Sequence, residues 1–322
     1  MSGERELLQR LCVGPVSGDM LARDAGLTRA AMWKRIELLR QGGVGIEASP
    51  GRGYALIRPV ELLDAGEITA RLPQDCTRLL HDVEIVWSLD STNSELLRRK
   101  TPLHGASVLL AEQQTGGRGR RGRSWSSPLA AHVYLSLARH FSGGLARLGG
   151  LSLVAGVATA EALHAGGFVQ AGLKWPNDLV VRGRKLGGLL VEGGGEQGGP
   201  VRAVVGIGIN VRMPAEFASA IDQPWTDLAS LAGATTSRNA IVALLLQHLL
   251  PAMEQFDARG LAPFLPRYAQ LDALRGCEVE VRSGESSVHG RYRGVADDGA
   301  LLIEAETGLR SFHAGEVSVR AR

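Results

Sequence analysis

The 322-residue sequence predicts an α+β protein of two or three domains. Three observations carry that expectation. Residues 5–40 pattern as short capped helices leading into a glycine-marked hairpin. The middle of the chain alternates apolar strands with helices. From Cys277 onward the pattern changes to short alternating strands separated by turns. With 44% hydrophobic residues the chain can bury a full core. The boundaries expected are 1–62, 63–271 and 272–322.

At the N-terminus Arg5 to Leu11 opens as helix. Ser17 then caps Met20 to Asp24, Gly26 turns the chain, and Thr28 caps a third helix from Arg29 to Arg40. Met32, Ile36 and Leu39 recur at i, i+4 and i+7 and form its buried stripe. Arg29, Trp33 and Lys34 are left outward. Two short helices joined by a glycine turn, the second presenting basic and aromatic side chains, describe a helix-turn-helix. Val44 to Ala48, the turn Ser49-Pro50-Gly51-Arg52-Gly53, and Tyr54 to Ile57 add a hairpin with Arg52 at its tip, a wing. Arg29, Trp33, Lys34 and Arg52 are therefore the candidate DNA contacts; a plain helical bundle is the alternative.

Arg58-Pro59 reads as a linker, with helix from Glu61 to Leu72. The strand Val83 to Trp87 runs into Ser91, Thr92, Asn93 and Ser94 at the start of a helix, which suits either capping or hydrogen bonding to a small polar group. Leu103 to Gln113 is a second strand delivering Gln114. Beyond it lies Gly117-Arg118-Gly119-Arg120-Arg121-Gly122-Arg123-Ser124-Trp125, four arginines within six residues. No Asp or Glu occurs from Gln113 to Ala160, so these cations have no local acid to neutralise them. Glycine lets the backbone approach a ligand, and arginine supplies forked donors for carboxylate and phosphate oxygens. The stretch also satisfies G-x-G-x-x-G. However, a strand (His132 to Leu137) follows instead of a helix, and no acid stands some 20 residues on, which excludes a Rossmann site.

Gly150 to His164 reads as a buried helix. Lys174-Trp175-Pro176-Asn177-Asp178 then gathers a cation, an indole, an amide and a carboxylate in five positions. Arg182-Gly183-Arg184 turns the chain into a strand with Lys185 at its start. Gly193 to Gly199 reads as a loop, and Val201 to Val211 as a strand whose Gly206 and Gly208 suggest close approach of a ligand or another backbone, with Asn210 near its end. Trp225 to Ala232, Asn239 to Arg259 and Pro263 to Tyr268 read as helices. The last fifty or so residues, with turns at Ser283-Gly284, Asp297 to Gly299 and Thr307-Gly308, read as a small β-barrel.

The net charge of +3 resides in residues 1–58, where nine Lys/Arg meet six Asp/Glu; the remainder is balanced at 27 and 27. That placement suits a module touching a polyanion. Cys12, Cys76 and Cys277 are scattered and lack a C-x-x-C, which argues against a disulfide framework or a zinc site. No signal peptide is evident, and the apolar run Leu148 to Ala160 is short and interrupted by Gly, Ser and Thr, so a cytoplasmic protein without membrane partners is expected.

Taken in order, GRGRRGRSW from Gly117, KWPND from Lys174, KLGGLLVE from Lys185 and GIGIN ending at Asn210 resemble the biotin–protein ligase family, over essentially the whole chain. The N-terminal helices and the wing are similar to those of members that also repress the biotin operon. The resemblance implies a biotin/lipoate-ligase-like mixed sheet in the centre and an SH3-like barrel at the end. It implies joining of biotin to ATP as biotinyl-5′-adenylate, then transfer to a lysine of a biotin carboxyl carrier protein. By resemblance Ser91, Thr92, Asn93 and Gln114 hold biotin, and Arg118, Gly119 and Arg120 close over biotin and the adenylate phosphate. Lys185 sits where bonds form. Asn177 and Asp178 line the adenylate side with Mg²⁺, Arg123 and Lys174 stabilise charge, Trp125 closes on adenine, and Asn210 lies near the nucleotide. Homodimerisation on adenylate binding and recognition of a two-fold operator are also implied. Gly116 and Gly187 replace alanines of the family pattern, which is expected to loosen the backbone. The rival readings are a lipoate or octanoate ligase, a biotin-sensing repressor without ligase activity, and a ligase whose DNA-binding domain is not functional.

Overall fold

The structure, a computed structural model, describes residues 3–142, 144–195, 201–232, 236–283, 286–314 and 317–321. At the N-terminus α1 (Gly3–Val13), α2 (Gly18–Asp24) and α3 (Arg29–Gln41) precede the hairpin β1 (Ile46–Ser49) and β2 (Gly53–Leu56). The caps are those the sequence suggests. Ser17 Oγ accepts from the Met20 N–H and Thr28 Oγ1 from the Ala31 N–H, both at 3.2 Å, each worth about 1 kcal/mol. Gly26 takes φ +64° at the turn between α2 and α3. Met32, Ile36 and Leu39 are buried with Leu7, Leu8 and Leu11 in one apolar cluster.

The expected helix from Glu61 begins only at α4 (Ala65–Ala70), followed by α5 (Gln74–Arg78). Residues 61–64 stay extended because their polar groups are bound elsewhere. The Glu61 carboxylate accepts from Ser237 Oγ at 2.7 Å and from the Arg238 N–H. The Leu63 N–H donates to Glu112 Oε1 at 2.6 Å, and Asp64 Oδ1 caps α4 through the Glu67 N–H at 2.7 Å. Glu112 is itself paired with Arg238 at 2.7 Å, with both side chains almost wholly buried. The segment after Arg58-Pro59 is thus fastened to the core.

The central sheet collects β3 (Leu80–Leu89), then β4 (Ala106–Gln114) after α6 (Thr92–Arg98), and β5 (Val133–Phe141). After α7 (Leu151–Ala165) come β6 (Gly172–Lys174), β7 (Asp178–Val181), β8 (Arg184–Gly195) and β9 (Val201–Ile209). The order is β3-β4-β5-β9-β8-β7-β6, with β3 and β4 parallel and the other pairs antiparallel. Helix α6 makes the crossover between the parallel strands, as that pairing demands. Strand β8 continues to Gly195, paired with Val201, so the expected loop from Gly193 starts later; residues 196–199 lie outside the described residues. Helices α8 (Ala215–Ala218) and α9 (Leu228–Ala232) follow. The expected helix from Trp225 is shorter because Lys185 and Trp225 form a strand-like bridge. Helix α10 (Arg238–Arg259) packs against α7 beneath the sheet, and α11 (Leu265–Leu271) closes the region. The window Leu148–Ala165 is long and apolar enough to cross a bilayer by composition, but it is 67% buried inside the molecule and serves as a core helix.

The last five strands are β10 (Glu278–Ser283), β11 (Ser286–Val295), β12 (Leu301–Ala305), β13 (Gly308–Phe312) and β14 (Val317–Ala321). They form one antiparallel sheet in the order β13-β12-β11-β10-β14. The strands expected from Cys277 are therefore present. No pairing of β13 with β14 closes them into a barrel among the described residues. Gly284, at one expected turn, lies outside the described residues. This sheet shares the central core: Val279, Tyr292, Leu301 and Ile303 belong to the same buried cluster as α7. Trp175 Nε1 also donates to the Gly299 carbonyl at 3.0 Å.

Candidate active site

The parallel pairing of β3 with β4 sets Leu89 opposite Gln114, so both strands end at one place. Helix α6 starts there, and Ser91 is its N-cap, with Oγ 3.4 Å from the Ser94 nitrogen. Arg98 grips Asp90 with two bonds of 2.9 Å and holds its carboxyl down at about 2. Thr92 donates to Gln114 Oε1 from its backbone N–H at 2.8 Å and from Oγ1 at 3.1 Å. Ser136 Oγ, on β5, lies 2.7 Å from Thr92 Oγ1 and 2.6 Å from Asn93 Oδ1. Asn93 Nδ2 donates to the Leu190 carbonyl at 3.1 Å and to Glu192 Oε2 at 2.8 Å. Gly206 makes this arrangement fit, since a Cβ there would stand against the Asn93 amide. Ser91, Thr92 and Asn93 are each 4% exposed. Such buried polar groups are stable only when bonded in this way.

The arginine loop is pinned at its base by the Trp125 N–H to the Gly117 carbonyl at 2.9 Å and the Gly119 N–H to the Arg123 carbonyl at 2.7 Å. Between them the chain reverses through Arg121 (φ 59°) and Gly122 (φ 70°). The four arginines consequently divide. Arg118 Nη2 donates to Ser94 Oγ at 2.8 Å and lies 3.4 Å from Glu192 Oε1. Arg120 Nη1 donates to Asn177 Oδ1 at 3.2 Å, and burial lowers the Arg120 pKa. Arg121 and Arg123 are exposed, so the expected charge-stabilising Arg123 is not drawn into this cluster. Gly119 stands between Arg118, which is exposed but bonded to Ser94, and the half-buried Arg120. The loop's lack of acids in sequence is made good in space by Glu192 and Asp178.

Lys185 enters through the hairpin of β7 and β8, whose turn residues Arg182 (φ 51°) and Gly183 (φ 74°) are both left-handed. Lys185 Nζ lies 2.7 Å from Asp178 Oδ1 and 5.6 Å from the centre of a Trp125 ring. The Trp125 indole rests on Gly208, where a Cβ would come within 2.7 Å of Cε2. Its Nε1 is buried without a hydrogen-bond partner among the described residues. Asn177 Nδ2 donates to the Leu189 carbonyl at 2.7 Å, and Lys174 pairs in register with Asp178 across β6 and β7. Asn210 is buried, and its Nδ2 donates to the Thr226 carbonyl at 3.1 Å. The Thr226 N–H in turn donates to the Lys185 carbonyl at 2.9 Å, so Asn210 braces the Lys185 strand. Gly187 is paired with both Leu179 and Ile209, and a Cβ there would stand 2.6 Å from the Gly208 carbonyl oxygen, so this glycine permits close pairing of strands.

Two polar groups result, bridged by the arginine loop: Gln114, Thr92, Ser136, Asn93, Glu192 and Arg118 on one side, and Arg120 with Asn177, and Lys185 with Asp178 near Trp125, on the other. Sequence reasoning missed Ser136 and Glu192. The available signal was an acid closing the otherwise apolar and glycine-rich run 186–192. Among the described residues no three His, Cys, Asp or Glu side chains are grouped to hold a metal. Asp178 offers a single carboxylate, which fits an ion that takes most of its ligands from phosphates and water. At the opposite end of the chain, Arg29 and Trp33 of α3 face Ser49, Pro50 and Tyr54 of the wing across an open cavity of about 360 Å³. Lys34 and Arg52 are exposed beside it, and Trp33 is 53% exposed.

Residues 86–210 match the Biotin/lipoate A/B protein ligase family, 276–320 the Biotin protein ligase C terminal domain, and 4–55 an HTH domain. The bifunctional ligase/repressor BirA of Escherichia coli is 39% identical over 305 residues, 95% of this chain and 93% of its own. The chain belongs to the BirA family of biotin–protein ligases. The Bacillus subtilis bifunctional ligase/repressor BirA is 29% identical and covers 94% of each chain. The Aquifex aeolicus biotin protein ligase, solved with biotin and ATP, superposes with a TM-score of 0.64 at 27% identity, over 76% of this chain and all of that one. The BirA relatives cover the helix-turn-helix as well as the sheet, which distinguishes this layout from that of a ligase core alone.

Proposed function

We propose that this member of the BirA family joins biotin to ATP, transfers the biotinyl group to a lysine of a biotin carboxyl carrier protein, and represses transcription through its winged helix. The observation that carries the reading is that one arginine loop reaches both polar groups, Arg118 toward Ser94 and Glu192 beside the Thr92–Asn93–Gln114 network and Arg120 toward Asn177, next to the Lys185–Asp178 pair.

The chemistry brings two anions together. A biotin carboxylate oxygen attacks the α-phosphorus of ATP and pyrophosphate leaves; the acceptor lysine amine then attacks the acyl carbon and AMP leaves. Asn93, Thr92 and Gln114 offer donors and acceptors suited to a ureido ring. Lys185, Arg118 and Arg120 offset the charge of carboxylate and phosphate as it builds up, where preorganised cations lower the barrier most. Trp125 supplies an aromatic face for the adenine side. Asn177 and Asp178 would hold Mg²⁺ together with the nucleotide phosphates, where the ion would supply charge neutralisation.

We read the C-terminal sheet as SH3-like, the active species on DNA as a homodimer formed when the adenylate orders the arginine loop, and the protein as cytoplasmic, without membrane partners, like its bacterial relatives. Two winged helices then meet a two-fold operator. A carrier domain incubated with biotin, ATP and Mg²⁺ should gain one biotinyl mass while AMP and pyrophosphate accumulate. Acceptance of lipoate or octanoate in place of biotin would favour the lipoate-ligase reading. A gel shift on the gene's own upstream DNA, strengthened by biotin plus ATP, tests repression, and sedimentation with and without adenylate tests the dimer.

A further inference from the structure

Ser136 lies wholly buried on β5, behind Thr92 and Asn93. It pairs in register with Gly206 of β9, whose missing side chain makes room for the Asn93 amide. The neighbours of that amide fix which way it faces. Asn93 Nδ2 spends both of its N–H groups on the Leu190 carbonyl and the Glu192 carboxylate, which only accept. Asn93 Oδ1 is thereby turned to Ser136 Oγ, at 2.6 Å. In the same way the Thr92 N–H holds Gln114 Oε1 toward itself at 2.8 Å. Gln114 Nε2 is then left over, with no hydrogen-bond partner among the described residues. Three oxygen–oxygen contacts join Gln114, Thr92, Ser136 and Asn93 in a row, at 3.1, 2.7 and 2.6 Å. Both ends of the row are carbonyl oxygens, so its protons come from the Thr92 and Ser136 hydroxyls alone. Both protons are spent inside the row. Thr92 Oγ1 therefore presents a lone pair to a ligand, while Gln114 Nε2 presents N–H.

We infer that Ser136 is a positioning residue that sets the polarity of the pocket. By anchoring the hydroxyl of Thr92 and the carbonyl of Asn93, it keeps Thr92 an acceptor and Gln114 a donor. The pocket then selects a ring in which an N–H stands beside a carbonyl, because the reversed pattern sets donor against donor. This rests on the reading of biotin as the substrate, whose ureido ring carries that pattern.

The test is calorimetry on the full chain with biotin and with 2-iminobiotin, in which a guanidine N–H replaces the carbonyl oxygen, a donor in place of an acceptor. Wild type should bind biotin about 100-fold more tightly. Ser136→Ala frees the Thr92 hydroxyl to turn and leaves Asn93 Oδ1 without its donor. The biotin Kd should then rise about tenfold, with that of 2-iminobiotin held within about twofold. The biotin KM should follow, with kcat within about twofold. Ser136→Thr, which keeps the hydroxyl, should restore most of the preference. Gln114→Glu, which puts an acceptor where the donor stood, should reverse it, so that 2-iminobiotin binds more tightly than biotin. An equal loss for both ligands in Ser136→Ala, the mark of a merely structural role, would overturn the inference. So would a preference left unchanged by Ser136→Ala and Gln114→Glu. Binding needs no catalysis: a wild-type chain that prefers biotin, loses that preference in Ser136→Ala, yet transfers no biotin to a carrier domain would refute the ligase reading and still support the role of Ser136.

Discussion

Lys185 Nζ stands 2.7 Å from Asp178 Oδ1, so the ammonium proposed to meet the substrates is held by an acid in the structure. Lys185 joins the fold through its backbone, with its N–H on the Pro224 carbonyl and its carbonyl under the Thr226 N–H, each at 2.9 Å. Lys185→Ala should therefore leave the melting temperature near that of wild type while abolishing adenylate formation, losing about 10³-fold or more in rate. Pyrophosphate release with biotin and ATP measures it, and near wild-type rates would refute the role.

Gly206 gives a second prediction. Its missing side chain is the space in which the Asn93 amide sits. Gly206→Ala should push Asn93 off Ser136 and Glu192, costing about 1–3 kcal/mol in stability through overpacking. Calorimetry should show biotin affinity falling about tenfold or more. Wild-type affinity in a folded variant would mean that Asn93 does not define the pocket.

Stability should depend on pH through His132, which is completely buried at the start of β5. Burial lowers its pKa to about 4, against opposing pulls from the Ala131 carbonyl and Asp227, with Arg238 adding to the depression. Above pH 6.5 the ring is neutral in both folded and unfolded states. Between 6.5 and 4 the unfolded chain binds a proton that the folded chain refuses, so stability falls as pH falls through that window. The loss attributable to this residue is on the order of 3 kcal/mol by pH 4. Urea titrations at several pH values should show the slope in wild type and a shallower one in His132→Gln.

On DNA, Arg52 at the wing tip is exposed, whereas Arg29 is paired with Asp19 at 2.8 Å on the surface. Arg52→Ala should weaken binding evenly across sequences and reduce the salt slope by about one per subunit. Trp33, 53% exposed on α3, should instead alter which sequences are preferred. Gel shifts across a salt series and a set of operator variants separate the two outcomes.

Much of this was legible locally. The caps at Ser17 and Thr28, the stripe of Met32, Ile36 and Leu39, the arginine loop, and the Lys174 to Asp178 stretch each declare themselves within a few residues. The caps and the stripe form as expected; of the site residues, Arg123 stays outward and Asn210 braces a strand. What remained hidden depends on residues distant in the chain. Glu192 meets Asn93 across 99 positions, Arg238 meets Glu112 across 126, and Glu61 caps α10 across 177. Periodicity and spacing carry no information about such pairs. The same reason sets the late start of α4: Glu61 fits a helical pattern in sequence, but its carboxylate is committed to the start of α10.

The central claim is that the cations around Asn93 and Asp178 allow biotin and ATP to join. Its most direct measurement is transfer of labelled biotin to a purified carrier domain by the wild-type chain and by Lys185→Ala and Arg120→Ala. The account predicts ATP-dependent labelling of one acceptor lysine by wild type and none above background by either variant. Labelling by the variants at the wild-type rate, or no labelling by wild type with biotin, ATP and Mg²⁺ all present, would contradict it.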